Sequence, residues 1–188
     1  MDRKRVSKLG VATGVVAVLA TFGARAISAP DKYSLKVPGG LAFADFKGYE
    51  SWQLVSISQN GKLIAAILGN PTIIKAFRAG IPGNGKPFPD GSRMAKVHWI
   101  PKQNESDPGP PTVPSIQHDV DFMVKDSKKY PDGNGWGYAA FEYDAATDTF
   151  RPGTTTDKPP QGNDAKCGVA CHTKAKDSDF VFTRYARR

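Results

Sequence analysis

The sequence predicts an α+β domain, mostly antiparallel β-sheet with a few short helices. Three observations carry this. Several short apolar stretches run at strand period between Gly, Pro and Asn turn signals; only one or two stretches have helical spacing; and no segment repeats. Residues 27–40 hold Pro30, Pro38, Gly39 and Gly40 without periodicity, and an extended lead-in is expected over 27–48, ahead of a single domain over 49–188. From Tyr49 the texture changes. Trp52, Leu54 and Ile57 lie near alternating positions, Asn60-Gly61 is a turn signal, and Leu63 to Leu68 suits a buried strand. Thr72 to Ala79 predicts a helix. Asn70 can cap it, Pro71 suits its first position, Gly80 can close it, and Ile73, Ile74 and Phe77 share a face. A Gly/Pro-rich loop runs from Ile81 to Pro89-Asp90-Gly91, a turn signal.

Met94 to Ile100 predicts a strand with Met94, Lys96, His98 and Ile100 on one face and Ala95, Val97 and Trp99 on the other. Residues 101–115, rich in Pro, Gly and polar groups, predict a long exposed loop. Further strands are expected at Ile116 to Val124 and at Trp136 to Tyr143, with turns at Gly133 to Gly137 and at Ala145 to Asp148. Arg151 to Asp164 predicts another loop. A short helix is expected to carry Cys171 and His172, and Phe180-Val181-Phe182 is a last apolar triplet.

The ends and the charge restrict the function. Arg3, Lys4, Arg5 and Lys8 precede an apolar stretch from Leu9 to Phe22, and Ala24-Arg25-Ala26 follows it. This is the pattern of a signal peptide over residues 1–26, which predicts a periplasmic protein. The stretch falls short of the ~20 apolar residues of a comfortable membrane span; an uncleaved anchor is the competing reading. The formal charge is +8, and residues 1–26 supply four of those charges, through five Lys/Arg and one Asp. The remainder is modestly basic. No basic run is interleaved with aromatics, so nucleic acid is not an expected partner.

The chemistry is concentrated at Cys167-Gly168-Val169-Ala170-Cys171-His172, which holds the only two cysteines of the chain. Two thiols followed directly by a histidine suit covalent attachment of a haem c, with His172 as the iron ligand. The usual spacer has two residues; here there are three. A disulfide between Cys167 and Cys171 in a haem-free secreted binding module is the alternative. His98 and His118 fall in predicted strands and are candidates for a second axial ligand, as are Met94 and Met123. The expectation is nevertheless an open distal face, which permits ligand chemistry. Phe43, Phe46, Phe77, Phe88 and Phe122 are candidates to line a haem pocket, and Arg184, Arg187 or Arg188 could pair with a propionate.

The chain resembles the cytochrome P-460 family, which includes the beta-type cytochromes c-prime. The resemblance rests on Leu68-Gly69-Asn70, Phe88-Pro89-Asp90-Gly91 and Ala95-Lys96. It continues through Asp121-Phe122-Met123-Val124-Lys125-Asp126-Ser127, Gly135-Trp136-Gly137-Tyr138, Cys171-His172 and Asp179-Phe180-Val181-Phe182-Thr183. It implies a haem c bound on an antiparallel sheet, commonly in a homodimer. It also implies two functional types. The first oxidises hydroxylamine, with a lysine cross-linked to the haem and electrons passed to an external acceptor such as another cytochrome. The second lacks the cross-link and binds nitric oxide or carbon monoxide. The matching lysine is Lys96. The position of the family's proton-moving glutamate is Asp121, one methylene shorter.

Overall fold

The structure, a computed structural model, describes residues 31–39, 41–155 and 168–186. Residues 1–30, 40, 156–167, 187 and 188 lie outside the described residues, and with them the expected signal peptide over 1–26, most of the loop expected from Arg151 to Asp164, Cys167, Arg187 and Arg188. Six strands form one antiparallel sheet in sequence order: β1 (Gln53–Asn60), β2 (Leu63–Gly69), β3 (Arg93–Gln103), β4 (Thr112–Lys125), β5 (Trp136–Asp144) and β6 (Thr149–Pro152). Every neighbour in the sheet is also a neighbour in the chain, so each connection is local. Among the described residues no helix is long and apolar enough to cross a membrane.

The helix α1 (Pro71–Arg78) forms where the capping pattern predicts it. The Asn70 side chain accepts from Ile73 N at 3.1 Å, Pro71 stands in the first turn where no N–H is needed, and Gly80 turns the chain away at φ 84°. The same Asn70 oxygen accepts from Arg93 N at 3.1 Å, which ties the helix start to β3. The expected loop over 101–115 is shorter than its composition suggests. β3 continues to Gln103 and β4 starts at Thr112, with Pro101 opposite Pro114 next to a register shift. Neither proline has an N–H to give, so pairing the two at an irregular rung leaves the rest of the ladder intact. Thr149–Pro152, also expected as loop from Arg151 on, forms the short edge strand β6.

One face of the sheet is filled. The lead-in, expected to be extended, instead forms 3-10 turns at Lys32–Ser34 and Phe43–Phe46, followed by a third at Tyr49–Ser51, and together they lay Leu41, Phe43, Phe46 and Tyr49 against Ala95, Val97, Val120, Phe122 and Phe141. Phe46 stacks on Phe122 at 4.0 Å between ring centroids, and Phe43 meets the edges of Phe122 and Phe141 at 5.2 and 4.9 Å. Offset and edge contacts of this kind add about 0.5–1.5 kcal/mol per pair beyond burial. Phe43 and Phe46 therefore belong to this core rather than to a haem pocket.

The opposite face is covered by α1 and by the C-terminal segment. Val55, Ile67, Ile73, Ile74, Phe88, Met94, Met123, Trp136, Val169 and Val181 pack there. The C-terminal segment begins with the helical turn α2 (Val169–His172), runs through a 3-10 stretch (Thr173–Ser178), and continues without regular secondary structure to Ala186. It joins the body through a backbone hydrogen bond from Ala186 N to the Val55 carbonyl of β1, at 3.1 Å, and through side chains. Lys125 Nζ donates to Asp179 Oδ1 at 2.8 Å, Phe88 N donates to Asp179 Oδ2 at 2.7 Å, and Trp136 Nε1 donates to the Asp179 carbonyl at 2.9 Å. Gly137 allows the Tyr130 ring to lie directly on β5; a Cβ there would come within 2.5 Å of that ring.

Candidate functional site

Between the sheet and the C-terminal segment lies a cavity of about 560 Å³. Its floor follows from strand alternation. On β3 the residues Met94, Lys96 and His98 share the face opposite to Ala95 and Val97, and β4 answers them rung by rung: Met123 opposite Met94, Asp121 opposite Lys96, Asp119 opposite His98. Ile67 of β2 and Tyr138 of β5 extend the floor, and Ser56 and Ser58 of β1 stand at one side. Cys171, His172, Val181, Phe182 and Arg184 complete the walls. Four residues that the sequence singled out, Lys96, Asp121, Cys171 and His172, thus line one space. Cys167 lies outside the described residues.

His172 sits in the turn of α2, with its ring 4.8 Å from that of Tyr138 and 5.2 Å from that of Phe182. Its Nδ1 is 2.6 Å from the Phe180 carbonyl. A carbonyl only accepts, so Nδ1 carries the proton and the lone pair is at Nε2. Burial holds the His172 pKa below the ordinary imidazole value; the Phe180 hydrogen bond opposes this and the charge of Lys96 adds to it. A neutral imidazole with Nδ1–H on a backbone carbonyl is the form that ligates a metal through Nε2. The Phe180 carbonyl reaches this position because Asp179 and Phe180 both take left-handed backbone, at φ 47° and 65°. Such conformations cost free energy for side chains other than glycine. The three hydrogen bonds of Asp179, two to the sheet and one to the loop before β3, hold them.

Asp121 has its pKa raised to about 6, by burial first and then by the charge of Asp119; His98, Lys96 and His118 pull the other way. Asp119 is also pushed up by burial, but hydrogen bonds and charge from His98, and then from His118, bring it below the ordinary carboxylate value. Among the described residues Lys96 has no carboxylate within ion-pair distance. Its amine therefore enters the cavity without a salt bridge.

The remaining candidates separate cleanly. Met94 and Met123 are cavity wall, and Arg184 stands at the rim as an available cation. Of the five phenylalanines proposed for the pocket, only Phe122 touches the cavity; Phe77 and Phe88 pack with each other under α1, at 5.0 Å. Phe182, 54% exposed, is the aromatic wall that was not foreseen. His98 turns its Nδ1 to Asp119, and His118 does the same at 2.6 Å.

The cavity fits a haem. Its volume is within the ~300–1,000 Å³ of cofactor sites, which are largely apolar with a few placed polar groups. It brings a thiol and a correctly protonated imidazole to one wall, and cations to the floor and the rim. The family model described as Cytochrome P460 matches residues 46–183. No curated protein matches the chain.

Proposed function

The chain belongs to the cytochrome P460 family, whose members are c-type haem proteins, and on that premise we propose that it is an exported haem c enzyme that oxidises hydroxylamine. One observation supports this above others: Lys96 and Asp121 line the same cavity as Cys171 and His172. In this reading Cys167 and Cys171 tether the haem and His172 ligates its iron from Nε2. The haem supplies a metal that binds a small nitrogen ligand and passes its electrons to an external acceptor, such as another cytochrome.

The rest of the chemistry is done by side chains. Asp121 accepts protons from the substrate. With a pKa of about 6 it is ionised near neutral pH, yet close enough to that pH to hold a proton transiently. Lys96, on the floor beside it, has the primary amine needed for a bond to the porphyrin edge. The apolar walls, Met94, Met123, Ile67 and Val181, keep bulk water from the reacting nitrogen. The same walls suit an uncharged diatomic ligand, which supports a second reading: a nitric oxide-binding protein without the cross-link.

Mass and spectrum separate these readings. The purified mature protein is expected to weigh more than its polypeptide by one haem and to absorb near the violet limit of the visible, unlike an ordinary haem c. Lys96→Ala is expected to restore an ordinary spectrum and to abolish hydroxylamine-dependent reduction of an added acceptor. An unchanged spectrum in Lys96→Ala favours the nitric oxide reading. A mass equal to that of the polypeptide alone removes both.

A further inference from the structure

Behind Asp121, three polar side chains lead away from the cavity. His98 is buried, with 8% exposure, and its Nδ1 lies 3.9 Å from Asp121 Oδ2 and in hydrogen-bond contact with Asp119 Oδ1. The other oxygen of Asp119 is 2.6 Å from Nδ1 of His118, whose side chain is half exposed. One carboxylate thus joins an inner imidazole to an outer one.

Regular strand alternation does not produce this contact. Asp119 and His118 are adjacent on β4 and would point to opposite faces. The register between β3 and β4 shifts at this point: His98 pairs with Asp119, and Trp99 pairs with Gln117, so His118 is the extra residue of a bulge. A bulge re-aims a side chain, and bulges occur beside functional sites. Here the bulge brings the His118 imidazole round to the carboxylate of its own neighbour. Packing alone needs none of this. A buried histidine is satisfied by one carboxylate, whereas this arrangement places two carboxyls and two imidazoles in a row from the cavity to the surface.

We propose that Asp121, His98, Asp119 and His118 form a proton path from the cavity to solvent, with His118 as its exit. This rests on the hydroxylamine reading for the source of the protons. Each proton leaves a substrate N–H or O–H bond for the Asp121 carboxylate. His98 Nδ1, which faces both carboxyls, gives its proton to Asp119 as it takes the one on Asp121; Asp119 then gives a proton to Nδ1 of His118, and His118 releases its Nε2 proton to water or buffer, one bond to hydrogen breaking as another forms at each step. The electrons leave separately, through the haem to the external acceptor. The 3.9 Å gap at Asp121 is closed by one water or by a small rotation of the side chain. The two carboxyls differ as a relay needs: burial raises the pKa of Asp121, so it can hold a proton, while the two imidazoles hold Asp119 below the ordinary carboxylate value, so it takes a proton only in passing and gives it on to His118. The other charged groups facing the row are Lys96, beside Asp121 on the floor, and Glu142, opposite Asp119 on β5 and paired with Arg151 at 2.7 Å.

The test uses the full haem-loaded protein. In weak buffer His118→Ala is expected to turn over hydroxylamine about tenfold or more slowly than wild type, at the low end of what a positioned proton-transfer group contributes, with spectrum and KM unchanged. Added imidazole restores the rate. His98→Gln shows the same loss without rescue, because its site is closed to buffer. A second readout needs no turnover: the Asp121 carboxyl, followed by infrared or carbon NMR, is expected to titrate at lower pH in Asp119→Asn, and its midpoint is expected to move in His118→Ala. If wild type oxidises hydroxylamine and His118→Ala keeps the full rate at the lowest buffer, the path is overturned. If wild type does not oxidise hydroxylamine at all, the parent reading fails and the carboxyl titration decides. Midpoints that follow both substitutions support the path, and midpoints that ignore them overturn it.

Discussion

The two faces of the sheet come from the same strands, one residue out of phase, and they are built to opposite rules. On one face Ala95, Val97, Val120 and Phe122 meet a lid of aromatic rings with no room left. On the other, Lys96 and Asp121 stand in the middle of the sheet on the floor of a cavity, with His98 and Asp119 behind them on the same face. Charged and titratable groups on a covered face cost several kcal/mol unless they are paired. A sequence that needed only stability would place Val or Ile at these positions. The contrast identifies the closed face as the source of stability and the hollow face as the place where stability is given up for chemistry.

The largest effect should come from the filled face. Phe122→Ala removes the ring that Phe46 stacks on and is expected to cost about 3–5 kcal/mol in denaturant unfolding. Met123→Ala, the next residue but facing the cavity, is expected to cost less than half as much, since its loss enlarges an existing space. Equal costs would break the comparison. Next comes the fastening of the C-terminal segment. Lys125→Met leaves Asp179 buried without its partner, at an expected cost of about 3 kcal/mol, and is expected to weaken haem retention in parallel. The smallest effect concerns the hollow face alone. Below its pKa of about 6 the Asp121 carboxyl already carries a proton and cannot accept another, so kcat/KM should fall with acid. Between pH 7 and pH 5 the drop is expected to be about tenfold, and Asp121→Asn should flatten the profile.

Much of this was legible in the sequence, for reasons that are local. The cap of α1 lies in Asn70 and Pro71, the alternation of β3 lies in Met94 to Val97, and the motif at Cys171-His172 needs no fold to be seen. Lys96 and Asp121 were legible through family resemblance and through charges set among apolar neighbours. What was hidden depended on partners distant in the chain. Alternation on β4 does not say which side of the sheet Phe122 faces, and Phe43 and Phe46 sit in a 3-10 turn with no strand period, so both stand as pocket candidates in the sequence although they pack on the other face. Pro101 and Pro114 read as loop because each alone breaks a strand; only their pairing across the ladder removes the penalty. The approach of His118 to Asp119 depends on a register shift that alternation cannot foretell. Lys125 finds Asp179 across 54 positions of sequence.

Asp179 commits one carboxylate oxygen and its carbonyl to the sheet and the other oxygen to the loop before β3, one residue before the carbonyl that holds the His172 ring. The electron-donating power of an axial imidazole follows the strength of the hydrogen bond at its far nitrogen. With His172 as the iron ligand, as proposed, the reduction potential would be adjustable from behind: Lys125, which does not line the cavity, would help to set how firmly the metal holds its electrons.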